Sequence, residues 1–234
     1  MQIDGIAESR TNFAAAAVWA VEVVDALGDA DWEGPGLGAW NLRALVGHTS
    51  RALLTVETYL ARPTDIEVVR SAEEYYARNL AHPSTDESAV LQRGVDAGAA
   101  LGADPALAFA EIAARVLRAV RDAGNPVIET IVGGMRLDAY LPTRAFELVV
   151  HGLDIQRATA GSRGASSSGP GDPPAEVLAG GLQLAGSLAA RGGSGATLLL
   201  ALTGRASLPA GYSVLAAPAA VPDSDHPTPH RSSA

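Results

Sequence analysis

The stretch LPTRAFELVVHGLDIQRATA, residues 141–160, decides how the chain is read. Glu147, His151 and Asp154 fall in it at i, i+4 and i+7, and a helix of about 3.6 residues per turn lines such positions along one stripe. Phe146, Val149, Val150 and Leu153 flank the stripe with an apolar face. A carboxylate and an imidazole thus point at the edge of a core, where an unpaired charge is costly. A divalent metal is one candidate partner: an imidazole and a carboxylate one turn apart, about 6 Å along the axis, both reach one ion at roughly 2 Å. The alternative is His151 as a partly buried helix histidine and Glu147 as a solvated acid, because an isolated Glu-x-x-x-His pair arises often by chance.

Periodicity elsewhere supplies the partners for that helix. Phe13, Ala16, Ala17, Ala20, Val24 and Leu27 recur at helical steps and predict a helix over residues 11–27, ended near Gly28. After the loop DWEGPGLGAW, Asn41 reads as the N-cap of a second helix to residue 60, with Leu42, Leu45, Val46, Leu53 and Val56 inward and His48 two turns in. A short helix runs through Tyr75 and Tyr76. The capping-box spacing of Ser84 to Glu87 starts another through Val90 and Val95, thinned out by glycines. Asp104 and Pro105 open a helix to residue 123, residues 125–136 read as a short strand or irregular turn, and Pro142 falls in the first turn of the site helix.

Residues 1–160 therefore predict four or five antiparallel helices with polar groups in the bundle interior. Residues 161–174, rich in Gly, Ser and Pro, read as a flexible linker. Residues 175–217 read as a small α/β unit: a helix over 175–191, a strand over 197–203, a turn at Gly204 and Arg205, and a second strand near 212–215. It is too small for its own core and should lean on the bundle or another subunit. Residues 218–234 read as a disordered, proline-rich tail.

Composition removes several chemistries. All 17 basic residues are arginine, which excludes a Schiff-base lysine, a P-loop lysine and a Ser-Lys dyad. There is no cysteine, so no protein thiol acts as nucleophile and any metal is held by nitrogen and oxygen. A net charge of -9 without a basic run argues against nucleic acid. The first residues lack the basic and apolar regions of a signal peptide, and no stretch approaches the ~18 apolar residues of a membrane span, so a soluble cytoplasmic protein is expected. GPGLG does not fit a dinucleotide fingerprint, no G-x-S-x-G elbow is present, and His82, His226 and His230 read as loop and tail residues.

His48 lies on a different predicted helix from Glu147 and His151. Two ligands on one helix and one on a facing helix leave an open position, as in a catalytic rather than a structural zinc. The segments GAWNLRALVGHTSRAL (38–53) and LPTRAFELVVHGLDIQRA (141–158) together resemble the mycothiol-dependent maleylpyruvate isomerase family, within the wider DinB-like metal-binding helical bundles. That family's pattern is a tryptophan before a capped helix bearing a histidine, then a late helix R-x-x-E-x-x-x-H-x-x-D. Trp40, His48, Arg144, Glu147, His151 and Asp154 match it in order. The resemblance covers most of residues 11–160 and, more weakly, LLLALTGRASLPAGYSVL (198–215).

It implies a mainly α fold, a DinB-like four-helix bundle with a small C-terminal α/β appendage. It makes His48, Glu147 and His151 zinc ligands, and places Trp40 and Arg144 beside the cofactor mycothiol, with a structural ion-pair role as the alternative for Arg144. Asp154 becomes a partner that orients a ligand, with a solvated acid pairing to Arg157 as its alternative. Arg205, in the turn after residues 197–203, is a candidate holder of a substrate carboxylate, with an exposed turn arginine as its alternative. The activity implied is a zinc-dependent, thiol-using isomerase or S-transferase acting on a small electrophile, the thiol replacing the cysteine this chain lacks. A non-catalytic metal- or ligand-binding module, and hydrolysis without a thiol, stand beside it.

Overall fold

A computed structural model, describing residues 2–82, 86–160 and 170–215, places the helix of the opening stretch, α6 (Leu137–Thr159), against most of the other elements. The helices α1 (Gln2–Asp25) and α2 (Leu42–Leu60) lie on it, α5 (Pro105–Asp122) packs on α1 and α2, and α4 (Glu87–Ala100) packs on α2. The predicted stripes face inward: Phe13, Ala16, Leu45, Leu53, Val116, Leu148 and Ile155 are fully buried, each large one contributing on the order of 1.5–3 kcal/mol.

The helix ends follow local chemistry. Asn41 accepts the amide of Ala44 at 2.8 Å to cap α2, and Asp104 accepts that of Leu107 at 3.0 Å ahead of Pro105. Arg10, within α1, ties two helix ends together: it bonds Asp138 at the start of α6 at 2.8 Å, the carbonyl of Val120 in the last turn of α5, and those of Ala123 and Gly124 just beyond it. The short helix α3 (Ala72–Leu80) is capped by Ser71 and lies against α6. Residues 125–136 resolve into an antiparallel hairpin, β1 (Val127–Thr130) and β2 (Gly133–Arg136), which runs straight into α6. Backbone bonds from Val68 and Val69 to Gly134 fasten the preceding loop to it.

The mainly α bundle stands as expected, with differences in detail. The first helix begins at Gln2 rather than at residue 11. Because α6 begins at Leu137, Pro142 is its sixth residue rather than part of its first turn, and the carbonyl of Asp138 has no amide at that position to receive. Gly94 and Gly98 do not thin out α4. They are buried, and a Cβ on Gly47 of α2 would collide with the Gly98 backbone, so these glycines let α2 and α4 touch backbone to backbone.

The C-terminal unit is helical. Residues 175–191 form α7 (Ala175–Arg191), which leans on α6, α1 and α3 through Val177, Leu184 and Leu188. The expected strand over 197–203 is instead part of α8 (Gly195–Leu202), and residues 212–215 form no strand. A short apolar run carries no decisive period, and Leu and Ala favour helix. The two-stranded sheet belongs to the bundle instead.

Of the linker, residues 161–169 lie outside the described residues. Its end is fastened, with Gln156 donating to the Pro170 carbonyl at 2.7 Å and the Trp19 indole to that of Gly171 at 3.0 Å. The tail over 218–234, with His226 and His230, also lies outside the described residues, as do Ser84 and Thr85 of the capping box, whose helix is capped by Asp86. Among the described residues no helix is long and apolar enough to cross a membrane.

Candidate metal centre

The stripe on α6 faces α2, and the two helices bring together the three residues the spacing singled out. One ligand atom each from His48, Glu147 and His151 lies within 4.8 Å of the others. The His151 Nε2 to Glu147 Oε2 distance is 3.2 Å, close to the edge of about 3.3 Å expected for a tetrahedron of ligands near 2 Å from zinc. The His48 and His151 rings meet edge to face at 4.8 Å between centroids.

Neighbours set the state of each group. The Nδ1 of His151 faces Asp154 Oδ2 at 3.2 Å, turning the other nitrogen toward Glu147. Tyr76, on α3, donates its hydroxyl to Glu147 Oε1 at 2.7 Å, so one carboxylate oxygen is held by the protein and the other is directed at the cluster. Burial and the neighbouring His151 lower the His48 pKa to about 3, keeping the ring neutral with a lone pair for an ion. Its Nδ1 is buried without a hydrogen-bond partner among the described residues. Burial opposes the charge of Glu147, but bonds from His151 and Tyr76 and the field of Arg144 bring its pKa to about 2. Burial also opposes a charge on His151, yet Asp154 and Glu147 raise its pKa to about 9. Two imidazoles and a carboxylate oxygen, one of the imidazoles neutral, suit a divalent cation of the zinc type.

All three groups line a cavity of about 300 Å³. Its wall also includes Arg51, Thr55 and Tyr59 of α2, Tyr75 and Asn79 of α3, Arg93 of α4, Ile131 at the hairpin tip and Arg144 of α6. A fourth coordination position there would open onto this space.

The remaining expected residues separate. Trp40 stands behind His48, its ring 4.4 Å away and tilted by 32°. Its indole N–H bonds the Leu91 carbonyl at 3.0 Å, and a Cβ on Gly94 would come within 2.6 Å of it. Trp40 backs a ligand and does not line the cavity. Arg144 does line it, sandwiched at 4.9 Å from the Tyr140 ring and 5.4 Å from that of Tyr75. Asp154 touches His151 from outside the cavity. Arg205 is exposed beyond α8, bonded to the Thr203 carbonyl at 3.1 Å, and is not among the residues that line the cavity. Sequence reasoning missed Tyr76, Arg51 and Arg93. For Arg51 a signal existed, since it follows His48 by three residues on the same helix face; Tyr76 carried none.

A family model described as the mycothiol maleylpyruvate isomerase N-terminal domain matches residues 13–156, more than half of the chain. The match contains every side chain of the cluster and of the cavity wall, and stops before α7 and α8. No curated protein and no solved structure matches the chain. The chain belongs to the mycothiol maleylpyruvate isomerase N-terminal domain family, built on a DinB-like helical bundle.

Proposed function

We propose that this member of the family is a zinc-dependent enzyme that uses a low-molecular-weight thiol, mycothiol, to isomerise or S-conjugate a small electrophile. The observation that carries this reading is the cluster itself: two histidines and a glutamate in the wall of a 300 Å³ cavity, with ligand atoms within 4.8 Å of one another. When bound, a divalent ion would supply a Lewis acid that lowers the pKa of a thiol toward neutrality. The chain supplies the rest. Asp154 fixes the orientation of His151, Tyr76 holds one oxygen of Glu147, and Trp40 and Gly94 back His48 from behind. The cavity is small enough to admit the reacting end of a thiol and a small molecule while shedding water. A chain without cysteine offers no thiol of its own to compete.

One observation favours a binding module instead: no described residue beyond His151 lines the cavity, so the C-terminal helices add no side chain to it. The test begins with zinc content by elemental analysis of tag-free protein, for wild type and His151→Ala. About one zinc per chain, lost in the variant, supports the centre. Turnover of maleylpyruvate and simple electrophiles is then followed with and without mycothiol. Thiol-dependent turnover supports the proposal, thiol-independent hydrolysis replaces it, and metal-free wild-type protein that remains folded refutes it.

A further inference from the structure

Several surface arginines have carboxylate partners: Arg43 with Glu33, Arg78 with Glu74, Arg115 with Glu57, Arg136 with Glu67. In the cavity wall two do not. The side chain of Arg51 makes no hydrogen bond or ion pair among the described residues, although it is half-buried. Arg144 is only 8% exposed, and its one bond runs from Nε to the Thr143 hydroxyl at 2.9 Å. Among the described residues the terminal nitrogens of Arg144 have no hydrogen-bond partner, yet they are not among the enclosed orphan atoms, so they are open to the cavity that the residue lines.

We infer that Arg51 and Arg144 form an anion subsite beside the metal cluster, made for a carboxylate carried by the small electrophile. The inference rests on the proposed function for the ligand being a substrate.

Three observations support it. First, buried charges are normally paired, and the cavity contains no carboxylate to spare: Glu147 is engaged by Tyr76 on one oxygen and by His151 on the other. Second, the cationic field is felt within the cavity. Arg93 lines the same wall as Arg51 and Arg144, and Arg93 and Arg144 add to burial in lowering the pKa of Arg51. An arriving anion relieves that repulsion. Third, the placement is matched to the cluster. Arg51 follows His48 by three residues on α2, and Arg144 precedes Glu147 by three on α6, so each guanidinium starts about 4.5 Å along its helix from a residue of the cluster. A molecule with a carboxylate a few bonds from its reacting atom spans that offset. The Tyr75 and Tyr140 rings hold Arg144 in place, so little side-chain freedom is lost when its planar fork receives a carboxylate.

The test is direct binding, with neither thiol nor turnover. Chelator-treated, metal-free protein is titrated calorimetrically with succinate, with its neutral counterpart succinamide, and with inorganic phosphate. Succinate should bind more tightly than both, and Arg51→Gln should weaken it at least about tenfold, the loss of a charge-assisted bond, while zinc affinity stays within a few-fold of wild type. If Arg51→Gln does not fold, Arg51→Lys, which keeps the charge and loses the fork, should give a smaller weakening. Equal binding of succinate and succinamide, an unchanged affinity in the variant, or no succinate binding overturns the subsite, and phosphate binding tighter than succinate overturns the carboxylate. Succinate binding lost in Arg51→Gln without any thiol-dependent turnover leaves the subsite standing and removes the proposed reaction. Thiol-dependent turnover with a KM indifferent to Arg51→Gln does the reverse.

Discussion

Zinc binding to the metal-free protein should release one proton, and nearly the same number in mild acid as at slightly alkaline pH. Among the three ligands the pKa values are about 3 for His48, about 2 for Glu147 and about 9 for His151. Throughout the neutral range the cluster therefore carries one proton, on His151. Asp154 faces Nδ1 of that ring, so the proton an ion must displace is the one on Nε2, facing Glu147. Two unperturbed histidines near pKa 6.5 would behave differently, releasing about 1.5 protons at about pH 6 and about 0.2 at about pH 7.5. Because the proton competes with the ion, affinity should rise about tenfold per pH unit up to about pH 9 and then level off. Calorimetric titration in buffers of different ionisation heat counts the protons directly. Ionisation of a bound water near neutrality would add to the count at the higher pH and never subtract from it. A release below about half a proton at about pH 7.5 would refute the Asp154–His151–Glu147 alignment. Asp154→Asn removes the largest contribution that holds the proton on His151, and should reduce the release at that pH.

The metal-free protein should be most stable in mild acid to neutral solution. The folded pKa of His48 lies below 6.5, so its contribution is complete above pH 6.5 and is lost as pH falls toward 3, at most about 5 kcal/mol; Glu147 acts in the same sense below its ordinary range. His151, with its pKa raised to about 9, contributes below 6.5 and loses that contribution as pH rises through 9; urea melts across this span should trace a dome, and a flat profile would contradict both shifts. Tyr76→Phe frees Glu147 Oε1 and should weaken zinc binding about 10- to 100-fold while costing only about 1 kcal/mol of stability; an unchanged affinity in chelator competition would mean that Tyr76 does not position the ligand. Gly47→Ala drives a methyl into the Gly98 backbone and should cost about 1–3 kcal/mol or more, read as a lower urea midpoint.

What the sequence made legible, and what it did not, follows from the range of each signal. Glu147, His151 and Asp154 share one helix, so their alignment needed only the helical period, and Asn41 and Asp104 announced their helices through bonds to amides three residues on. His48 needed the resemblance, because nothing in the period of α2 says which helix it faces. Tyr76 sits 71 residues from the carboxylate it holds, on a nine-residue helix, α3, whose burial is set by the tertiary packing. Arg51 was passed over because most arginines are surface residues: its spacing from His48 set the two on one helix face, but that this face borders a cavity is a fact of the folded state. The run over 197–203 was misread because a short apolar stretch carries no period that separates strand from helix, and α8 buries none of its residues to mark a face.

Each histidine of the cluster has a glycine beside it in sequence, and this neighbour explains how the site is held. Successive residues on a helix point about 100° apart, so while His48 faces α6, Gly47 faces α4, where only hydrogen fits against Gly98. Likewise His151 faces the cluster while Gly152 receives the ring of Trp19 from α1. In both helices the surface beside the histidine is closed at a glycine, against the Gly98 backbone in α2 and against the Trp19 ring in α6, and such close packing leaves the helix little room to shift. A metal site needs its donors held to within about 0.5 Å. The bundle meets that need from the flanks of the histidines, leaving the cluster open to a cavity lined by arginines and tyrosines together with Ala52, Val90 and Ile131. The stability of the bundle and the geometry of the site thus depend on the same helix contacts, which is why the residues that set the ligand positions need not touch the ion at all.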